Sequence, residues 1–199
     1  MIGMIISAVT TVAKALAVTT LAIDALKMIG NALMGIGKAL GLIKPETEVE
    51  ELGDKALQAE EEGIRPENYD TYTDYVRAIE NFELDPEKSK ALDPKEKIKK
   101  GIEVTSGVTA EKYPETLELF EYALENPAYF TGDRMKEIGK LLVSEGGSCI
   151  ENILKYMNGS EKNVQKLDST VQMLLGVEKR ANPGISDRDA LAHVFKARK

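Results

Sequence analysis

The chain has 199 residues, of which 30% are charged and 43% are hydrophobic, a balance typical of a folded globular protein rather than a disordered one. The formal net charge of −7 and the absence of a basic stripe argue against nucleic-acid binding, so no nucleic-acid partner is expected. The single cysteine, Cys149, excludes an intramolecular disulfide framework, and we expect it to be a buried small hydrophobe.

Charge and composition change along the chain. Residues 1–44 hold four lysines and one aspartate, which gives +3, so the rest of the chain carries −10. These differences predict three parts: an apolar assembly helix at 1–44, an acidic connecting helix or linker at 45–64, and a helical body at 65–199.

The first part carries a repeating apolar stripe. Alternating steps of three and four residues from Ile2 to Leu40 reach twelve positions, nine of which are large aliphatic residues. This is the heptad spacing of a helix in a coiled coil or bundle. We call these nine residues the seam, and they are the predicted assembly interface: Ile2, Ile5, Val9, Val12, Leu16, Ile23, Leu26, Leu33 and Leu40.

The seam predicts a single long helix. No proline or glycine lies between Met4 and Ile29, so one continuous rod is expected at least over Ile2 to Ile29. At 1.5 Å per residue it is about 40 Å long, and about 60 Å if it continues to Leu42. Its other faces hold alanines, glycines and further aliphatic residues instead of the charged residues of a solvated coiled coil.

Three interpretations of this helix compete. Burial in an oligomeric bundle or against a partner is favoured, because it explains the seam, the alanines and the sparse charges together. A membrane span carries Lys14 near its middle, which costs about 2.5–3.5 kcal/mol. A helix buried in the chain's own core is the third interpretation. A cleaved signal peptide is not expected, because Lys14 follows the apolar run instead of preceding it.

The acidic part and the body are predicted to be a series of helices, with capping residues, prolines and glycines at their ends. Thr71 to Phe82 places Tyr72 and Tyr75 on one apolar face, which predicts a core stripe rather than a ligand site. Asp85-Pro86 and Asp93-Pro94 each predict a capped helix start.

The remainder of the body is predicted to be helical except for one stretch. Gly101 to Thr109 is rich in β-branched residues and is expected to be a loop or a short strand. Further helices are predicted at 114–125, 133–145, 148–157, from a Ser160 cap to about 177, and from a Ser186 cap to the C-terminus.

A search for catalytic chemistry gives nothing specific. The only histidine is His193, which we expect to be partly buried or solvated rather than catalytic. The chain has no phosphate-binding loop and no G-x-S-x-G elbow. We therefore predict no enzyme activity, no catalytic residue, no cofactor, no metal site and no small-molecule substrate.

The Ala/Gly/Ile-rich opening from Met1 through Leu42, followed by the Lys44-Pro45-Glu46 switch into an acidic helical body, resembles small helical components of bacteriophage tails and related contractile injection particles. The resemblance is compositional, covers about the first 60 residues, and carries over no functional residue. It implies a structural subunit made in the bacterial cytoplasm and built into a virion or injection particle. Its expected partners are copies of itself and other particle proteins.

The leading hypothesis is therefore an all-α structural subunit with a long apolar N-terminal helix followed by a bundle of short helices, which assembles in a lumen or hub. One alternative is a membrane-active protein, a pore former or translocated effector, which inserts the N-terminal helix into lipid. A second alternative is a helical adaptor or regulator that binds a partner through the helix at 71–82.

Overall fold

A computed structural model describes residues 2–198, and this part of the chain contains eleven α-helices, one 3-10 turn and no β-strand. The fold class is all-α, as predicted. The first elements are α1 (Ile2–Val18), α2 (Ile23–Ala39), α3 (Val49–Glu61), the 3-10 turn (Pro66–Asn68), α4 (Tyr72–Glu80) and α5 (Pro86–Ala91). The others are α6 (Pro94–Lys112), α7 (Glu115–Glu125), α8 (Gly132–Glu145), α9 (Ser148–Met157), α10 (Val164–Ala181) and α11 (Asp187–Ala197).

The apolar N-terminal segment forms two helices, so the prediction of one continuous rod is wrong. Residues 19–22 are not helical and separate α1 from α2. The hydroxyl of Thr19 accepts a hydrogen bond from the backbone N–H of Leu21 at 3.4 Å, one of the local contacts by which threonine competes with helix. The break lets α1 pack on α6 and α7 while α2 packs on α6 and α8.

The central element of the fold is α6. It packs against α1, α2, α3, α4 and α7, and eleven of its residues are buried. The prediction of a loop or short strand at 101–109 is wrong, because that stretch is the middle of this helix. β-Branched and small residues are weak helix formers, but tertiary packing outweighs propensity where a helix is covered on most sides.

Buried hydroxyl groups inside α6 donate hydrogen bonds to carbonyls of the same helix. The buried Thr105 hydroxyl donates to the carbonyl of Gly101 at 2.7 Å, and the buried Ser106 hydroxyl donates to the carbonyl of Ile102 at 2.7 Å. These bonds remove the cost of burying a free hydroxyl, so the helix can be surrounded by apolar neighbours.

The tightest packing in the fold is between α3 and α6. A methyl group on Gly53 would overlap the carbonyl oxygen of Lys97, and one on Gly101 would overlap the carbonyl oxygen of Val49. The two helix backbones therefore touch at two reciprocal points where only glycine fits.

The three predicted parts of the chain share one core. Buried side chains from α1, α2 and α3 lie in the same apolar cluster as those of α4 and α6 to α11. The acidic helix α3 is more than a connection, since Val49, Leu52 and Ala56 are fully buried. The carboxylate of Glu80 fixes the loop between α2 and α3. It accepts hydrogen bonds from the backbone N–H of Lys44 at 2.8 Å and the hydroxyl of Thr47 at 3.0 Å.

Several predicted helix starts are confirmed by their caps. The carboxylates of Asp85 and Asp93 accept backbone N–H bonds at 2.8 and 2.9 Å, with Pro86 and Pro94 at the first helical positions. Ser186 caps α11 by accepting from the N–H of Asp189 at 3.1 Å. The Ser160 start is wrong, because the cap of α10 is Asn163, three residues later.

A glycine at the α3–α6 crossing and an exposed glycine on α2 should respond in opposite ways to substitution by alanine. Gly53→Ala should lower the free energy of unfolding by about 3 kcal/mol or more, because the added methyl group forces the helices apart. Gly35→Ala, where a methyl group meets open space on α2, should raise it by about 0.5–1 kcal/mol. Urea denaturation measures both. Equal stabilities for Gly53→Ala and the wild type would contradict the described crossing.

Candidate functional site

The seam predicted as the assembly interface lies mostly inside this fold. Ile5, Val9, Val12, Leu16, Leu26 and Leu33 are all less than 9% exposed. Ile2 and Leu40 are half-buried, and Ile23 is 39% exposed.

The seam is therefore a core face that packs on α6, α7 and α8, as in the third interpretation of the apolar segment. Assembly through the seam itself stays a prediction, and it requires α1 and α2 to leave the body. In the described fold, the part of α2 that is open to another molecule is its opposite face.

That opposite face borders a groove between α2 and α8. The groove has a volume of about 660 Å³. One side is a stripe on α2 and the other is a stripe on α8, each repeating at helical spacing. Its lining residues are Met28, Asn31, Ala32, Gly35, Ile36 and Ala39 from α2, and Gly132, Asp133, Lys136, Gly139, Lys140 and Val143 from α8.

Small residues shape the groove. A methyl group on Gly139 would meet the side chain of Ile36 at 2.7 Å, and one on Gly132 would meet the β-carbon of Met28 at 2.9 Å, so both glycines allow α8 to approach α2 closely. Gly35 differs, because no atom lies within 4 Å of a methyl group added there. With Gly35 and Ala39 both exposed, the C-terminal half of the α2 stripe leaves space for another chain.

Polar groups line the rim of the groove. The ammonium group of Lys140 lies 2.6 Å from a carboxylate oxygen of Glu137, whose other oxygen accepts from Arg180 at 2.9 Å. Burial raises the pKa of Glu137, but the bonds from Lys140 and Arg180 outweigh it and hold that pKa below its ordinary value. Within residues 2–198, the side chains of Asn31, Asp133 and Lys136 have no hydrogen-bond or ion-pair partner.

The first of two buried polar networks joins α3, α5 and α6. The carboxylate of Asp54 lies 2.8 Å from the ammonium group of Lys97 and accepts from the hydroxyl of Ser89 at 2.6 Å and the amide of Gln58 at 2.9 Å. Burial raises the pKa of Asp54, and these bonds more than offset that effect and lower it below 3.8. The network is satisfied internally and locks three helices together.

The second network joins α8, α10 and α11. The fully buried carboxylate of Glu178 binds the guanidinium group of Arg134, whose Nη1 also donates to the carbonyl of Tyr129 at 2.9 Å. Nδ1 of His193 lies 3.1 Å from the same carboxylate, and the imidazole is partly exposed. His193 thus ties the C-terminal helix to the body.

The other side chains that could act as nucleophiles or ligands, Cys149, Tyr72 and Tyr75, lie in the core. Cys149 is 1% exposed, and burial raises the pKa of its thiol to about 11, so it is protonated at neutral pH and unsuited to nucleophilic attack. Tyr72 and Tyr75 are 1% and 2% exposed, which confirms the predicted core stripe. In the part of the chain described, residues 2–198, no group of three or more His, Cys, Asp or Glu side chains is arranged to hold a metal ion.

The α2–α8 groove was not predicted from the sequence. A signal for it is present, since Met28, Asn31, Gly35 and Ala39 repeat at three- and four-residue spacing on the face of α2 opposite the seam. The matching stripe on α8 cannot be paired with it before the fold is known. Comparisons of the chain with protein-family models, curated proteins and solved structures give no match.

The Asp54 network predicts an acid-sensitive contribution to stability. Because folding lowers the pKa of Asp54, the contribution is complete well above pH 3.8 and is lost as the pH falls through the folded-state pKa. Asp54→Asn should lower the free energy of unfolding by about 3 kcal/mol at pH 7, because it leaves the ammonium group of Lys97 buried without its counter-ion.

Denaturation of both proteins between pH 7 and pH 3 checks this expectation. The difference between wild type and Asp54→Asn should narrow below about pH 4. The control Glu87→Gln removes a carboxylate that is 82% exposed and should leave the pH profile unchanged. A difference that stays constant across this range would contradict the assignment.

Proposed function

We propose that this protein is a non-catalytic structural subunit of a phage or phage-tail-like particle, and that it assembles through the outer face of its N-terminal helices. The observation that carries the proposal is the open apolar groove between α2 and α8. Within the described chain, seven large hydrophobic side chains are exposed, four of them on α1 and α2, and Val143 lines the groove. Exposed apolar surface of this kind marks protein contact sites.

The charge distribution supports a role in assembly. The N-terminal segment of +3 and the remainder of −10 give one chain two regions of opposite sign. Opposite potentials on meeting surfaces orient partners and suppress incorrect contacts. The particle itself, and synthesis in the bacterial cytoplasm, come into the proposal from the compositional resemblance of the first 60 residues.

In this proposal the assembly contact is the face of α2 opposite the seam, and not the seam itself. The seam holds α1 and α2 on the body, and the groove side of α2 meets neighbouring subunits. The N-terminal segment thus keeps its proposed part in assembly without leaving the core. Removal of the six buried seam residues from that core would expose a large apolar area.

The two alternatives have less support. Membrane insertion is favoured by Met4 and Val18, which are 73% and 80% exposed on α1. No helix within residues 2–198 is long and apolar enough to cross a membrane. An adaptor that binds through α4 would need Tyr72 and Tyr75 at the surface, and both are buried.

A matched pair of variants tests the groove as the assembly contact. Gly35→Glu adds a charged side chain to the groove, and Gly3→Glu adds the same side chain on α1. At both positions no atom lies within 4 Å of an added β-carbon. Each variant is expressed in the source bacterium and followed by gradient sedimentation of the lysate. We expect wild type and Gly3→Glu in the particle fraction and Gly35→Glu in the free-protein fraction. Wild-type protein found only as free subunits would rule out the particle.

Flotation with liposomes tests the membrane alternative. The wild-type chain should stay at the bottom of the gradient with both neutral and anionic vesicles, because α1 and α2 direct their aliphatic seam into the body. Serum albumin and a known amphipathic membrane peptide serve as negative and positive controls. Flotation of the folded wild-type chain would favour the membrane-active protein over the structural subunit.

A further inference from the structure

The exposed stripe of α2 includes a polar residue, Asn31, at the midpoint of the helix. Met28, Asn31, Gly35 and Ala39 follow one another at steps of three and four residues, and all four are exposed. From Met28 to Ala39 the stripe is about 17 Å long at 1.5 Å per residue. Small residues on such a stripe let a second helix approach closely along its length.

Opposite charges lie at equal distances on either side of Asn31. Asp24 precedes it by seven residues and Lys38 follows it by seven, so each is two helical turns away. Successive helical residues are rotated by about 100°, so seven residues come within about 20° of two full turns and both charges lie close to the direction of Asn31, at one edge of the stripe. Among residues 2–198 neither side chain has an ion-pair partner.

This arrangement is complementary to itself when reversed. If a second α2 lies antiparallel to the first with the two Asn31 residues opposite each other, Asp24 of each copy faces Lys38 of the other. Flanking residues on the same side of each helix meet in an antiparallel pair related by a two-fold axis, because the axis preserves that side. Such an interface buries the same surface on both copies.

We propose that two copies of this chain form a symmetric dimer through an antiparallel pair of α2 helices, with the two-fold axis at Asn31. The two α2 helices lie side by side along this exposed face, and α8 of each copy lies on the outside of the pair. This inference rests on the proposed function, since it names the partner at the same surface.

A second copy fits this face of α2 because the two opposite charges and Asn31 all match under one symmetry operation. Gly35 and Ala39 leave space where the partner's α2 would approach. Asn31 has no partner within residues 2–198, and its amide can both donate to and accept from the amide of Asn31 in the second copy. A single polar residue in an apolar helix pair sets its register and orientation.

Charge reversal on the full-length chain tests the pairing. Asp24→Lys and Lys38→Asp should each weaken the dimer about tenfold, since each puts two like-charged pairs across the interface. The double variant D24K/K38D restores opposite charges and should return the dissociation constant to within about threefold of wild type. Lys14→Asp makes the same charge change on an exposed position of α1 and should have no effect. Sedimentation equilibrium measures all five proteins.

Cysteine cross-linking locates the axis independently. Asn31→Cys should form an intermolecular disulfide under mild oxidation and give a dimer on a non-reducing gel. Ser7→Cys, exposed on α1, is the control and should not cross-link, and the native Cys149 is buried. Intermolecular cross-linking of Asn31→Cys at low protein concentration supports the axis.

Two results would overturn the dimer. One is a wild-type chain that remains monomeric as its concentration is raised. The other is a dissociation constant of the D24K/K38D dimer that is no lower than those of the single variants. Either result leaves the proposed function standing if the wild-type chain still sediments with the particle, because the groove then takes a different component. If the wild-type chain dimerises but does not sediment with the particle, the proposed function is wrong and the dimer stands.

Discussion

The close approach of α3 and α6 is the constraint on which the rest of the structure depends. At Gly53 and Gly101 the backbone of each helix touches a carbonyl of the other, so any side chain at these points would separate them. This contact leaves the remaining sides of α6 for α1, α2, α4 and α7. The Asp54–Lys97 ion pair lies beside the crossing and joins α3 to α6. Its direction fixes the position of one helix along the other, which apolar packing alone does not.

The position of α2 follows from that arrangement. Its seam side packs on α6 and α8, and Gly30 allows it to sit against Val49 and Ile102 at the edge of the α3–α6 crossing. With that side occupied, the stripe from Met28 to Ala39 faces outward and borders the groove. The open surface is thus a consequence of how the core is filled, because one helix cannot bury all of its apolar faces in a body of this size.

The buried charged side chains of this protein hold helices and loops together. Asp54, Glu80 and Glu178 are buried, and each carboxylate is held by hydrogen bonds from neighbouring helices or loops. The thiol of Cys149 is protonated and the ring of His193 is tied to Glu178. The unpartnered polar side chains of Asn31, Asp133 and Lys136 line instead the groove between α2 and α8.

The sequence by itself determined the all-helical class, most helix boundaries and the burial of the seam, because caps, proline positions and apolar spacing are local properties. It did not determine what covers the seam, and the heptad pattern of Ile5 to Leu33 reads the same whether the neighbouring helix belongs to another copy or to α6. The helical state of residues 101–109 and the groove were likewise decided by tertiary structure. A β-branched, hydroxyl-rich stretch becomes helical only when surrounding helices bury it, and a groove needs two stripes that are about 100 residues apart in the chain.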